Sequence, residues 1–386
     1  MSRQLPTRCS ALLATALLSL SPVYAAPAAP EVRQSMGTVF KAFQELEPYL
    51  LSREAFEAPG NQTKILNLLN DLGSGFHQVG SIPSAYQNEP GFVGTLKLLN
   101  DLLADSRNRF AEGKKGYALW RLRNAPNYCV SCHTRYEVPV NFAAENPQIA
   151  TMNAYQRGEF LLATRQFDQA ETAFMEAARN PPEHALRMDA LRRWMLIYTR
   201  VNPKPVKAIR ELSAFRREVA LARHEREEIE GWLESLTRWR DESSVEVPTI
   251  RRAEHLIQQA LAIKEPLAGR NGMIELLRAT ALLHRVLEDG RPEALADRAR
   301  ALRLLGVAYN ELPFEFVEGL PRLFLEECIR EYPDTDDARK AFQLYQHIVS
   351  LDYTGSAGTS MPAEVQVELK ELYRLAYGVP EPRDRV

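Results

Sequence analysis

Five consecutive residues, Cys129-Val130-Ser131-Cys132-His133, limit what this chain can fold into more than any other stretch of it. Two thiols separated by two residues and followed directly by histidine form the signature of covalent c-type haem attachment. Each thiol can form a thioether to a haem vinyl group, and the adjacent imidazole then reaches the iron as proximal ligand. A fold that carries this motif must leave room for a porphyrin beside one helix or loop. A redox CxxC pair would instead sit in a strand–helix–strand pattern, and a zinc site would need a second Cys/His pair. Neither accompanies these residues, since the other cysteines, Cys9 and Cys328, stand alone. The motif therefore predicts one covalently attached haem c on Cys129 and Cys132, with His133 binding the iron.

Attachment of this kind requires export, and the N-terminus is built for it. Arg3 and Arg8 precede an apolar run from Ala11 to Leu20, and Val23-Tyr24-Ala25 offers small residues to a signal peptidase. Residues 1–25 are expected to be a cleaved signal peptide and the mature chain to be soluble and periplasmic. No later stretch approaches the roughly 18 uninterrupted apolar residues of a membrane span. Net charge of −2 gives no basic surface for nucleic acid. A length of 386 residues exceeds what one core usually supports, so two domains are expected, 26–145 and 150–386.

Residues 31 to about 140 read as four helices. The first has the apolar stripe Val32, Met36, Val39, Phe40, Phe43, Leu46 and Leu50. Asn61 is positioned to cap a second, whose stripe runs from Ile65 to Val79. A Ser/Pro/Asn/Gly-rich loop from Gly80 to Pro90 leads to a third, Phe92 to Phe110. The fourth runs from Lys114 to Tyr136, with a break or kink at Pro126. Joined by short connections, four such helices make an up-down-up-down bundle. That topology brings Met36, His77 and the Gly80–Pro90 loop to the haem end. Met36 and, less favoured, His77 are the candidates for the distal iron position. The alternative is an open distal site. Lys114, Lys115, Arg121, Arg123 and Arg135 form a run with no acid among them, and Arg121 and Arg123 are weak candidates for pairing with propionates.

The segment resembles the cytochrome c prime family and its six-coordinate relatives, four-helix bundles with CxxCH late in the last helix. Arg33-Gln34-Ser35-Met36 matches the family's Arg-Gln opening, and Tyr136 matches its aromatic three residues after the haem histidine. By the family's commonest spacing the distal residue falls at Gly37, one position beyond Met36, a rotation of about 100° on a helix.

From about residue 150 the chain stays helical but changes pattern. Thr151 to His184 matches a tetratricopeptide repeat, a helix–turn–helix of about 34 residues. Gly158, Leu161, Ala170, Phe174, Ala177 and Pro182 fall in its register, whereas Ala154 and Arg157 stand where it favours large residues. Degenerate copies follow around Ala253–Pro266 and Leu305–Pro333. One repeat cannot bury its own face, so several must stack, and a helical-repeat superhelix is expected over 150–386. His184, His224, His255, His284 and His347 are scattered without ligand spacing. Trp194, Trp232, Trp239 and Cys328 are expected in the core. No nucleotide loop, HExxH or G-x-S-x-G motif marks an enzyme.

The fold class expected is thus all-α. Its expected role is one-electron transfer, with the repeats docking the cytochrome to a periplasmic protein partner. Gas binding or sensing at an open distal site, and a structural adaptor stabilised by haem, are the alternatives.

Overall fold

The computed structural model describes residues 30–82, 91–134, 147–242, 249–263, 272–288, 297–312, 319–356 and 358–379. Regular structure among them is helical, apart from one two-residue hairpin pairing Thr354–Gly355 with Gly358–Thr359. The protein is all-α. The signal-like leader, Arg135, Tyr136 and residues 141–146 lie outside the described residues, as does most of the Gly80–Pro90 loop.

Helix α1 (Pro30–Leu51) buries Val32, Val39, Phe43, Leu46 and Leu50, the stripe its spacing predicts. A short helix α2 (Arg53–Glu57), which no periodicity announced, plugs Phe56 into the core edge-on to Phe110. Asn61 precedes α3 (Gln62–Ser81) as expected, but it is not a side-chain cap. Its Nδ2 donates 2.8 Å to the Ala55 carbonyl, which ties α2 to the start of α3. Gly75 has a packing reason: a Cβ there would lie 2.5 Å from Val39 Cγ2, so only glycine lets α1 and α3 approach this closely.

Helix α4 is Phe92–Ala111. The fourth predicted helix is two, α5 (Lys115–Leu122) and α6 (Ala125–His133). Pro126 sits in the first turn of α6, where its missing N–H has no intrahelical acceptor to lose. Helix α1 packs on α3, α3 on α4, and α4 on α5 and α6.

After residue 147 the helices come mainly as sequential hairpins. Helix α7 (Ala154–Ala163) opens with a capping box in which Asn153 and Gln156 exchange hydrogen bonds. It pairs with α8 (Phe167–Arg179) across Gly158, whose absent Cβ would stand 2.6 Å from the Phe174 ring. Then follow α9 (Leu186–Leu196), extended by a π turn at Ile197–Val201, and the hairpin of α10 (Pro205–Glu218) with α11 (Arg223–Asp241). Next come α12 (Ile250–Ala262) with α13 (Met273–Glu288), and α14 (Arg298–Glu311) with α15 (Leu320–Glu331). The small-residue device recurs at Gly306, where a Cβ would lie 2.5 Å from Leu325 Cγ. Helices α16 (Asp336–Asp352) and α17 (Ala363–Tyr377) are the last among the described residues.

Packing crosses the expected boundary near residue 150 where α7 meets α1 and α6 and where α15 meets α4. Phe160 of α7 stacks on Phe43 of α1, ring centroids 5.8 Å apart, and touches Phe40 at 6.3 Å. On the other side α15 returns to α4, where a Cβ on Gly94 would be 2.2 Å from Leu323. Helices α1, α4 and α6 of the first segment therefore each pack against the second.

Candidate haem-attachment site

Cys129, Cys132 and His133 occupy the last turns of α6. Residues three apart on a helix share a face, so the two thiols point the same way. Both side chains are partly exposed. Burial, and then the neighbouring Cys132, push the Cys129 thiol up to about 12. A thiol held this firmly protonated is the opposite of the activated thiolate on which a redox CxxC depends. Among the described residues no three His, Cys, Asp or Glu side chains converge as a bare metal ion would require.

The second segment of the chain sets the tautomer of His133. Its Nδ1 lies 2.7 Å from the Ala163 carbonyl at the end of α7. A carbonyl can only accept, so Nδ1 carries the proton and Nε2 keeps its lone pair free. Burial, and then the Arg165 charge, hold the imidazole down to about 4, against a partial pull upward from the Ala163 bond. A neutral imidazole with Nε2 available is the form that binds iron. Two cysteines on one face of α6 and a histidine with Nδ1 held by Ala163 fit the covalent haem that the motif implies.

Arg165 itself stands in the left-handed region at φ 66°, in the turn between α7 and α8. Non-glycine residues take that conformation at a cost, and here it keeps the α7–α8 turn tight beside His133.

The two distal candidates separate. Met36 is half-buried and packs against the core one turn before Phe40, which touches Phe160. Ala163, which anchors His133, is about one turn beyond Phe160. His77 is exposed on α3, whose neighbours Phe76 and Val79 take the inward positions. A Cβ on Gly37, the next residue, would meet no atom within 4 Å.

The basic run on α5 is engaged structurally. Lys115 donates 3.0 Å to the Glu57 carbonyl, Arg123 donates 2.9 Å to that of Leu50, and Arg121 lies 3.9 Å from Asp105. The scattered histidines are mostly exposed, but His284 is buried and hydrogen-bonds Tyr309 Oη at 2.8 Å. Cys328 is a core residue, its Sγ 3.2 Å from the Ala299 carbonyl. Trp194 and Trp232 are fully buried, and Trp239 carries the Arg278 guanidinium 4.5 Å above its ring.

A polar group beside the motif escaped the sequence reading. Glu47 is buried on α1 and Glu159 faces it from α7. Arg193 of α9 pairs with Glu159 at 3.0 Å and reaches Asn127 of α6 at 2.6 Å, two residues before Cys129. The signal was present: Glu47 falls four residues after Phe43, on the stripe that ought to be apolar.

Comparison with family models, with curated proteins and with solved structures returned no match for this chain.

Proposed function

We propose that the chain is an exported, periplasmic monohaem c-type cytochrome that transfers single electrons. In this reading residues 26–145 form a four-helix bundle of cytochrome c prime type. Residues 150–386 form a tetratricopeptide-like superhelix that docks the bundle to a periplasmic protein partner. When bound, haem c supplies a one-electron couple whose potential follows from its axial ligands and burial. Cys129 and Cys132 hold it, and His133 offers Nε2 to the iron. Met36 is the distal ligand of choice.

The observation that carries the reading is the hydrogen bond from His133 Nδ1 to Ala163. It commits the tautomer needed for ligation, and it comes from outside the attachment segment, where chance has no reason to supply it.

The test is retention. The full chain, made with its leader in a bacterium competent for cytochrome c maturation, is run on a denaturing gel and stained for haem peroxidase activity. Haem is expected to migrate with the polypeptide, and Cys129→Ala/Cys132→Ala to abolish the band. Haem that leaves the wild-type chain on denaturation would refute the proposal.

A further inference from the structure

Glu47 has no place in haem attachment, yet a buried carboxylate at that point needs an account. It is 8% exposed, and its Oε2 accepts no hydrogen bond from any described group. Desolvating a carboxylate costs several kcal/mol unless a partner or a proton compensates. Among the described residues of this cluster the cation is Arg193, which is turned toward Glu159 and Asn127. Two carboxylates face one guanidinium, so one negative charge is left over, and a proton is the smallest particle that can cancel it.

We infer that Glu47 is a redox-linked proton acceptor, taking up one proton from solvent when the attached haem takes up one electron. The inference rests on the cytochrome reading above. The balance is simple. A one-electron donor protein delivers an electron to ferric haem, and the carboxylate oxygen of Glu47 gains a proton and becomes a carboxylic acid. Oxidation by a one-electron acceptor releases that proton. Ferric haem carries one more positive charge than ferrous, and the ionised Glu47 is the better neighbour for it. Reduction removes that charge and favours the acid.

Two observations support proximity and poise. The charge of Glu47 reaches Cys129, one of the two points through which haem would be tethered. Burial, and then the charge of Glu159, push Glu47 up to about 7, so both of its forms are populated near neutral pH.

Burial raises the Glu159 carboxyl as well, but Arg193 pulls it back, whereas no described group bonds Glu47 Oε2. From α7 come Glu159 and Tyr155, from α9 Arg193 and Asp189, and from α6 Cys129 and the neutral Asn127. Tyr155 is raised further by burial and does not titrate near neutrality. Asp189 is bonded to Arg192. On the α3 side Lys64 is drawn to Glu45, 3.7 Å away on the exposed face, while Asp71 and His77 are exposed. Arg123 of α5 is spent on the Leu50 carbonyl, and Arg53 and Glu57 of α2 pair with each other in solvent.

The experiment is a spectroelectrochemical titration of the haem-loaded full chain from about pH 5 to about pH 9. A unit charge roughly 10 Å away at an effective dielectric of about 20 changes an equilibrium on the order of tenfold. At fixed ambient potential the Fe(II)/Fe(III) ratio should therefore fall about tenfold across this range, equivalent to ~59 mV for one electron. Glu47→Gln should remove most of that dependence. Reduced-minus-oxidised infrared spectra should show a carboxylic acid carbonyl band in the wild type, absent from Glu47→Gln and retained in Glu45→Gln on the exposed side of the same helix. Glu159→Gln provides an independent arm, because losing its repulsion should move the pH-dependent window to lower pH without abolishing it. Covalent haem with a pH profile unchanged by both substitutions would overturn this inference and leave the cytochrome reading intact. Absence of covalent haem would overturn both.

Discussion

Phe160→Ala tests whether the two segments of the chain share one cooperative structure. Phe160 is 2% exposed and sits on Phe43, with near-parallel rings 5.8 Å apart, and against Phe40. Truncating a fully buried phenylalanine removes its transfer free energy and leaves a cavity, together about 3–5 kcal/mol. Of this, roughly 0.5–1.5 kcal/mol is the aromatic pairing itself. Phe160→Leu keeps most of the volume and should cost about 1.5 kcal/mol or less. Guanidinium unfolding followed by circular dichroism reads both as a shift in midpoint, with an unchanged slope if the same surface is exposed. The Ala variant should also loosen Ala163, one turn along α7, and with it the hydrogen bond to His133 Nδ1. A loss under about 1 kcal/mol, or equal losses for Ala and Leu, would mean that the contact between α1 and α7 is not a packed core, and the reasoning fails.

Met36→Ala should convert a low-spin six-coordinate iron to high spin and lower the reduction potential, since a thioether ligand favours ferrous iron. His77→Ala should leave the spectrum alone, and a wild-type spectrum already high-spin and unmoved by Met36→Ala would favour the open distal site. In the chain freed of haem by Cys129→Ala/Cys132→Ala, His133 and Glu47 should pull stability in opposite directions. The folded form holds His133 at about 4 against an ordinary 6.5, so its contribution of about 3 kcal/mol is present above pH 6.5 and lost as pH falls toward 4. Glu47 is raised from 4.5 to about 7, so its contribution is present below pH 4.5 and lost as pH rises through 7. The two nearly offset, and adding Glu47→Gln should uncover a fall of about 3 kcal/mol between pH 7 and pH 4 by urea unfolding. A flat profile in that variant would refute the His133 environment described above.

Where sequence reasoning succeeded, the physics was local. The stripes of α1, α3 and α4 follow from side chains three and four apart sharing a helix face, and Pro126 breaks the fourth helix because it lacks an N–H. Gly158 and Phe174 fall in the repeat register, and the Phe174 ring lies against the glycine. Where it fell short, a distant partner decided the outcome. Asn61 looked like a cap by type and position, yet its side chain found the Ala55 carbonyl first. Arg121 and Arg123, weak candidates for an anion by sequence, lie beside Asp105 and the Leu50 carbonyl, which no spacing announces.

The sequence by itself determined the helical class, the attachment motif and the identity of the histidine beside it, because each depends only on residue types at short spacing. Tertiary structure alone decided which nitrogen of His133 carries the proton, since the accepting carbonyl comes from Ala163, thirty residues away. It also decided that Glu47 is buried without a cation of its own, because Arg193 is claimed by Glu159 and Asn127. Desolvation and Coulomb energy depend on what surrounds a group in space, and no spacing along a chain encodes that environment.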